Sequence, residues 1–245
     1  RYIKGERLSY WNGVMGQTAG QNAIIHSNKP KRWFQDEEVA ARAYRNVQGV
    51  DLALYGYWGY WKSPGGMNAA GNEAQFPSLD VYGASLQGPL GKGILSAEVG
   101  YYDSKDDARG TNALINNSEM RYLLGYSREI GRDFTAGLQY YVEQLLDYSE
   151  YRAALAGGPA RDRYRHLLTL RLTKLLMNQN LRCSLFGYYS PSDDDVYFRP
   201  NMNYKVSDNT SVEVGANIFA GDDPHTFFGQ FEDNTNAYGA IRYSF

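Results

Sequence analysis

Charged side chains recur at alternate positions inside segments of this chain that are otherwise apolar. Glu98 stands in 93–103, Arg121 in 119–128, Arg171 in 163–176 and Arg182 in 181–189. Arg199 and Lys205 stand in 196–206, Glu213 in 210–220 and Arg242 near the end. By the same parity Arg42, Asp51, Asp80 and Glu143 join them. Residues two apart on a strand share a face, so each charge would project from a strand whose other face is apolar. Such a set can do two things. Opposite charges on neighbouring strands brace a sheet cheaply where water reaches them, as Glu98 with Arg121, Arg199 with Glu213, or Glu213 with Arg242 would. An excess of one sign along a wet wall discriminates between ions. Basic residues outnumber acidic ones in this set, which favours anions weakly.

Aromatics share that face by the same parity: Tyr82, Tyr102, Tyr141, Phe186, Tyr188, Tyr197, Phe219 and Tyr238. Rings there can plug a passage or give sugars and apolar solutes a sliding surface, and the sequence leaves both open. Asp193-Asp194-Asp195, Asp106-Asp107 and Asp222-Asp223 bring carboxylates close together, as Ca²⁺ requires, but without EF-hand spacing, and no metal is expected. His166 and His225 stand alone in the sequence. No Gly-rich phosphate loop, zinc spacing or acid–base dyad stands out, so neither catalytic residues nor a cofactor are expected. Cys183 has no second cysteine to pair with. A net charge of -2 argues against a nucleic-acid surface.

The elements that must carry these residues are strands. From Val39 the segments 39–47, 50–62, 79–87, 93–103, 119–128, 134–146, 163–176, 181–189, 196–206, 210–220 and the last stretch from Asn234 are strand candidates, and 95–102, 134–143, 196–206, 210–220 and the last stretch alternate apolar with polar residues. In 210–220, Val212, Val214, Ala216, Ile218 and Ala220 oppose Ser211, Glu213, Gly215, Asn217 and Phe219. The connections are predicted to alternate strictly, short turn then long polar loop, with the acidic stretch around Asp193 counted among the long ones. Strands of about 9–11 residues cross a bilayer at a tilt. The chain has 22 Tyr, 4 Trp and 10 Phe, yet mean hydropathy is only -0.55. Alternation and long loops dilute an apolar signal in that way. Tyr57, Trp58, Tyr60, Trp61, Tyr101, Tyr102, Tyr188 and Tyr189 gather at the long-loop ends, where a membrane interface would hold them. No run of about 18 apolar residues exists, so no spanning helix is expected. Residues 1–38 would supply one more strand, near Tyr2 to Trp11, and a loop. The whole is read as one all-β domain over 1–245, a transmembrane antiparallel β-barrel of about twelve strands, or the C-terminal part of a larger one. Arg1 would be the start of a mature form or of a fragment.

The final strand reads Asn-Ala-Tyr-Gly-Ala-Ile-Arg-Tyr-Ser-Phe, with Ile241, Tyr243 and Phe245 on one face. This ending resembles the closing strand of bacterial outer-membrane β-barrels. The stretch Leu54-Tyr55-Gly56-Tyr57-Trp58-Gly59-Tyr60-Trp61 and the Lys62-Ser63-Pro64-Gly65-Gly66 after it resemble an uncharacterised proteobacterial porin-like family. The resemblance covers Val39 to Phe245. It implies an integral protein of a Gram-negative outer membrane, surrounded by lipid and lipopolysaccharide. It implies that Ile241, Tyr243 and Phe245 form the signal read by the barrel-assembly machinery. It further implies a channel for passive passage or export of small hydrophilic solutes, with Glu98, Arg121, Arg171, Arg182, Arg199, Lys205, Glu213 and Arg242 lining it. The oligomeric state stays open, a homo-oligomer included. A closed, salt-bridged barrel acting through its loops as an adhesin or scaffold is the main rival. An autotransporter end would need a helix ahead of the first strand, and 12–28 are too rich in Gly and Asn for one. A lipase-type enzyme rests on His26-Ser27-Asn28, which resembles the His-x-Ser-Asn-Gly motif of outer-membrane phospholipase A. The spacer is missing, however, and adjacent residues of a strand point to opposite faces.

Overall fold

The computed structural model describes residues 2–3, 24–30, 36–70, 73–155 and 160–245. In chain order the strands are β1 (Tyr2–Ile3), β2 (Ile24–Asn28), β3 (Val39–Val47), β4 (Val50–Tyr60), β5 (Gly66–Met67), β6 (Glu73–Gln75), β7 (Ser78–Leu90), β8 (Gly93–Ser104) and β9 (Glu119–Gly131). They continue as β10 (Phe134–Leu145), β11 (Tyr164–Leu176), β12 (Leu181–Ser190), β13 (Asp195–Lys205), β14 (Thr210–Gly221) and β15 (Asn236–Tyr243). Eleven of them form one sheet in the order β3-β4-β7-β8-β9-β10-β11-β12-β13-β14-β15, and β1-β2-β6-β5 form a second. Every pairing in the large sheet is antiparallel and joins strands that follow one another along that order.

Local chemistry fixes the hairpins. Val47 pairs with Val50 across Gln48 and Gly49, whose φ angles are 51° and 84°. Two successive positive φ values define the tight turn whose twist matches flanking strands, and Gly supplies the second cheaply. The Asn46 side-chain oxygen accepts from the Gly49 N–H at 3.1 Å and closes it.

The register then carries each parity across the whole sheet. One line runs Leu52, Leu86, Ala97, Leu124, Tyr140, Leu168, Tyr189, Val196, Ala220. The adjacent line of the other parity runs Asp51, Gln87, Ser96, Gly125, Gln139, Thr169, Tyr188, Tyr197, Phe219. The first face is apolar along this line from β4 to β14, with Arg45 of the edge strand β3 opposite Leu52, and it is bare: Leu54, Leu124 and Leu138 are 64%, 54% and 55% exposed. A face of that extent facing water would be an aggregation surface. Facing hydrocarbon it is in its proper solvent, and the polar face turns to the lumen. Aromatics bound the apolar band on both sides. Trp58, Tyr82, Tyr122, Tyr140 and Tyr189 lie toward the long loops, and Tyr126, Phe134, Tyr204 and Tyr243 toward the short turns. Trp58 Nε1 donates to Tyr82 Oη at 3.2 Å within the upper belt.

Three expectations need correction. Asp80 and Tyr82 are not on the polar face. Asp80 pairs with Trp58 and Asp103, and Tyr82 with Gly56 and Tyr101, all of the apolar parity. Leu79 and Val81, which looked lipid-facing, turn inward, and Leu79 is buried there. Asp80 escapes hydrocarbon because it stands at the rim, 3.8 Å from Lys105 Nζ. Second, the strict short–long rhythm breaks once: β12 and β13 pair as far as Ser190 with Asp195, leaving a connection of only 191–194. Third, the strands run from 8 to 13 residues, longer than expected at several ends. The predicted first strand, Tyr2 to Trp11, lies almost wholly outside the described residues, and Tyr2–Ile3 pairs with Ile24–Ile25 in the small sheet. Among the described residues, β3 and β15 each have one strand neighbour.

Candidate functional site

All eight predicted lining residues share the polar parity. They divide by partner. Arg121 binds Glu119 on its own strand, Nε and Nη2 each 3.0 Å from Oε2. Arg242 reaches Glu213 at 3.2 Å, as the cross-strand reading expected. Lys205 donates to Asp208 at 2.7 Å, which holds that turn carboxyl below its usual range. Two expected pairs do not form. Glu98 sits opposite Leu123, not Arg121, and is exposed. Glu213 takes Asn201 at 2.8 Å and Arg242, leaving Arg199 aside. Among the described residues Arg171, Arg182 and Arg199 form no ion pair, and all three are exposed. Arg171 and Arg199 flank Phe186 on one register line, with the Arg171 guanidinium 5.9 Å from that ring. The strands β11 to β13 therefore present a basic stripe to the lumen.

Long loops fold back onto the polar face at one end. The connection after β10 begins with a helix, Tyr148–Ala154, and returns through Arg161. Tyr151 Oη accepts from the Arg161 N–H at 3.0 Å, which aims the side chain inward. Arg161 Nη2 then meets Glu119 Oε1 at 3.0 Å and Glu143 Oε2 at 4.0 Å. Arg165 joins Glu143 at 3.2 Å, Tyr188 Oη at 2.9 Å and Asp193 of the short β12–β13 connection. Glu119 is almost fully buried, its two oxygens shared between two arginines. The loop 222–235 comes in from the other side. Phe228 packs on the lumen-facing rings of Tyr188 and Tyr197 at 4.5 and 4.9 Å, and its N–H donates to Asp195 Oδ2 at 2.7 Å. A cavity of about 420 Å³ remains between the loops, lined by Arg121, Arg161 and Arg165 against Glu119, Glu143, Asp162, Asp193 and Asp223. Five carboxylates face three guanidiniums there, so this mouth is acidic while the stripe below it is basic.

Sequence reasoning missed Glu119, Arg161, Arg165 and Phe228 as members of the site. Glu119 and Arg165 share the parity of Arg121 and Arg171 and were within reach of the same pattern. Arg161 and Phe228 lie in loops, where no periodicity signals direction. The acidic loops have structural employment. Asp107 accepts from the N–H groups of Thr111 and Asn112 at 3.0 and 2.8 Å, and Asp193 ties Arg165. His26-Ser27-Asn28 lies on the strand β2.

No protein-family model matches the chain, and no curated protein does. Solved structures do resemble it. A porin aligns with 92% of this chain and 68% of its own at 13% identity and a TM-score of 0.55. The outer-membrane channel DcaP of Acinetobacter baumannii aligns with 93% of this chain and 70% of its own at 14% identity and a TM-score of 0.51. The KdgM porin covers 85% of this chain at a TM-score of 0.36, too low to carry an argument. At such identities the likeness is one of fold, and the fold of this chain is that of a porin-like outer-membrane β-barrel.

Proposed function

We propose that this protein is integral to a bacterial outer membrane and acts there as a channel for small hydrophilic solutes, with a weak preference for anions. The observation that carries the reading is the pair of opposed faces, one mainly apolar and the other mainly polar, carried by the register from β4 to β14. The anion preference rests on Arg171, Arg182 and Arg199, which form no ion pair among the described residues. Fixed positive charge along a wet wall raises the local anion concentration. Lipid and lipopolysaccharide would bound the apolar face. Ile241 and Tyr243, both on that face of β15, with Phe245 beyond it, would be read by the barrel-assembly machinery.

The test is conductance of the purified protein in a planar bilayer, with the reversal potential measured across a salt gradient. The parent is expected to conduct with anion preference. The variant carrying Arg171→Gln, Arg182→Gln and Arg199→Gln is expected to conduct with its preference reversed, because the acidic mouth then dominates. A folded parent that passes no current would favour the second reading, a barrel closed at its mouth that works through its loops. The inward packing of Phe228 and Arg161 supports that alternative.

A further inference from the structure

A second concavity of about 420 Å³ opens on the lumen wall across β8 to β12, away from the loop-lined mouth. Gly125 and Gly137 form its floor. They sit diagonally across the β9–β10 pair, where Gly125 faces Gln139 and Gly137 faces Ser127. A wall of ordinary side chains would be flush; two missing ones on adjoining strands leave a dent. A Cβ on Gly137 would meet Ser127 Cβ at 3.5 Å and Tyr126 O at 4.0 Å, so packing does not demand the glycine there, whereas the side chains of Ser96 and Gln139 already lean over Gly125.

The lining joins hydroxyl and amide side chains to apolar ones, Ile94, Tyr126 and Leu138 among the latter. Ser96, Ser127, Thr135, Gln139, Thr169 and Thr173 border the dent. Thr169 donates to the Gln139 side-chain oxygen at 3.1 Å, which fixes the orientation of that amide. Arg171 is the one charged residue lining the dent, and it has no carboxylate partner among the described residues. Phe186, beside it, offers a flat apolar face.

We infer that this dent is a binding subsite for a small polyhydroxylated monoanion, its carboxylate held by Arg171 and its hydroxyls by the serine, threonine and glutamine rim. The inference deepens the channel reading and rests on its lumen. A guanidinium offers parallel N–H groups that fit a carboxylate bidentately. Hydroxyl and amide side chains supply both donors and acceptors, which a chain of hydroxyl groups requires. An apolar anion would leave the rim unmatched, and a neutral polyol would leave Arg171 unmatched.

Saturation-transfer NMR on the full chain folded in detergent micelles tests this without requiring current. Gluconate, acetate and glucose are the probes: both features, charge alone, hydroxyls alone. Gluconate is expected to bind at least about tenfold more tightly than either, the scale of one charge-assisted contact. Arg171→Gln is expected to lose that advantage, and Gly137→Val, which fills the dent and leaves Arg171 in place, is expected to lose it too. Heat-modifiable migration on gels confirms that each variant is folded. Equal binding of gluconate and acetate, or gluconate binding untouched by either substitution, overturns the subsite. Gluconate binding by a protein that passes no current upholds the subsite and overturns only the channel.

Discussion

Glu119→Ala is expected to lower the unfolding free energy by about 3 kcal/mol, the cost of removing one partner from a buried ion pair. The side chain is 1% exposed and holds two guanidiniums, Arg121 and Arg161, each at 3.0 Å. Its loss leaves both arginines crowded against one another with only Glu143 between them. It also removes the 3.0 Å contact of Arg161 with the wall and leaves the 4.0 Å one to Glu143, so the loop after β10 is held more loosely and conductance is expected to change together with stability. Urea titration of the folded barrel reads the first effect and bilayer recording the second. Arg161→Ala separates them: it frees the same loop but leaves Glu119 paired with Arg121, and it is expected to cost less. A Glu119→Ala protein as stable as the parent would mean that water enters the network freely and that the pairs are worth no more than surface ones.

Leu170→Arg is the second large effect. Leu170 lies midway along β11, on the apolar parity between Leu138 and Gly187. An arginine there, near the bilayer midplane, is expected to cost about 2–4 kcal/mol. Thr169→Arg, one residue away, places the same side chain in the lumen and is expected to stay within about 1 kcal/mol of the parent. The contrast reads the two faces directly. Equal costs at both positions would overturn the assignment of inside and outside.

The eleven strands from Val39 onward, their order and most of their parity were legible in the sequence because each rests on local rules. A period of two marks a strand, turn residues mark its ends, and antiparallel neighbours in sequence become neighbours in space. The lining residues Arg171, Arg182, Arg199 and Glu213 follow from the same rule and fall on the polar parity. Parity failed in β7, where Leu79 and Val81 look lipid-facing but are covered by loops, and Asp80 looks inward but stands at a rim. Pairing partners were harder. Glu98 with Arg121 was plausible by strand order, yet register decides partners, and a difference of two residues puts Leu123 opposite Glu98 and Arg121 opposite Gly100. The mouth was the least legible part. Arg161 reaches Glu119 from 42 residues away through a loop, and Phe228 covers Tyr188 and Tyr197 from another. Nothing local encodes where a loop comes to rest. The short β12–β13 connection hid for a related reason: an acidic run reads as a solvated loop until Arg165 is seen to hold Asp193.

Because every strand of the large sheet pairs only with its neighbours along the chain, the meander is modular. Excising β7 and β8 would bring β4 beside β9 still antiparallel, with inside and outside unchanged. Excising a single strand would turn all that follow upside down. Barrel diameter grows with strand number. A gene encoding this architecture can therefore widen or narrow its bore by duplicating or deleting one hairpin at a time, and each such step keeps the lipid-facing surface intact.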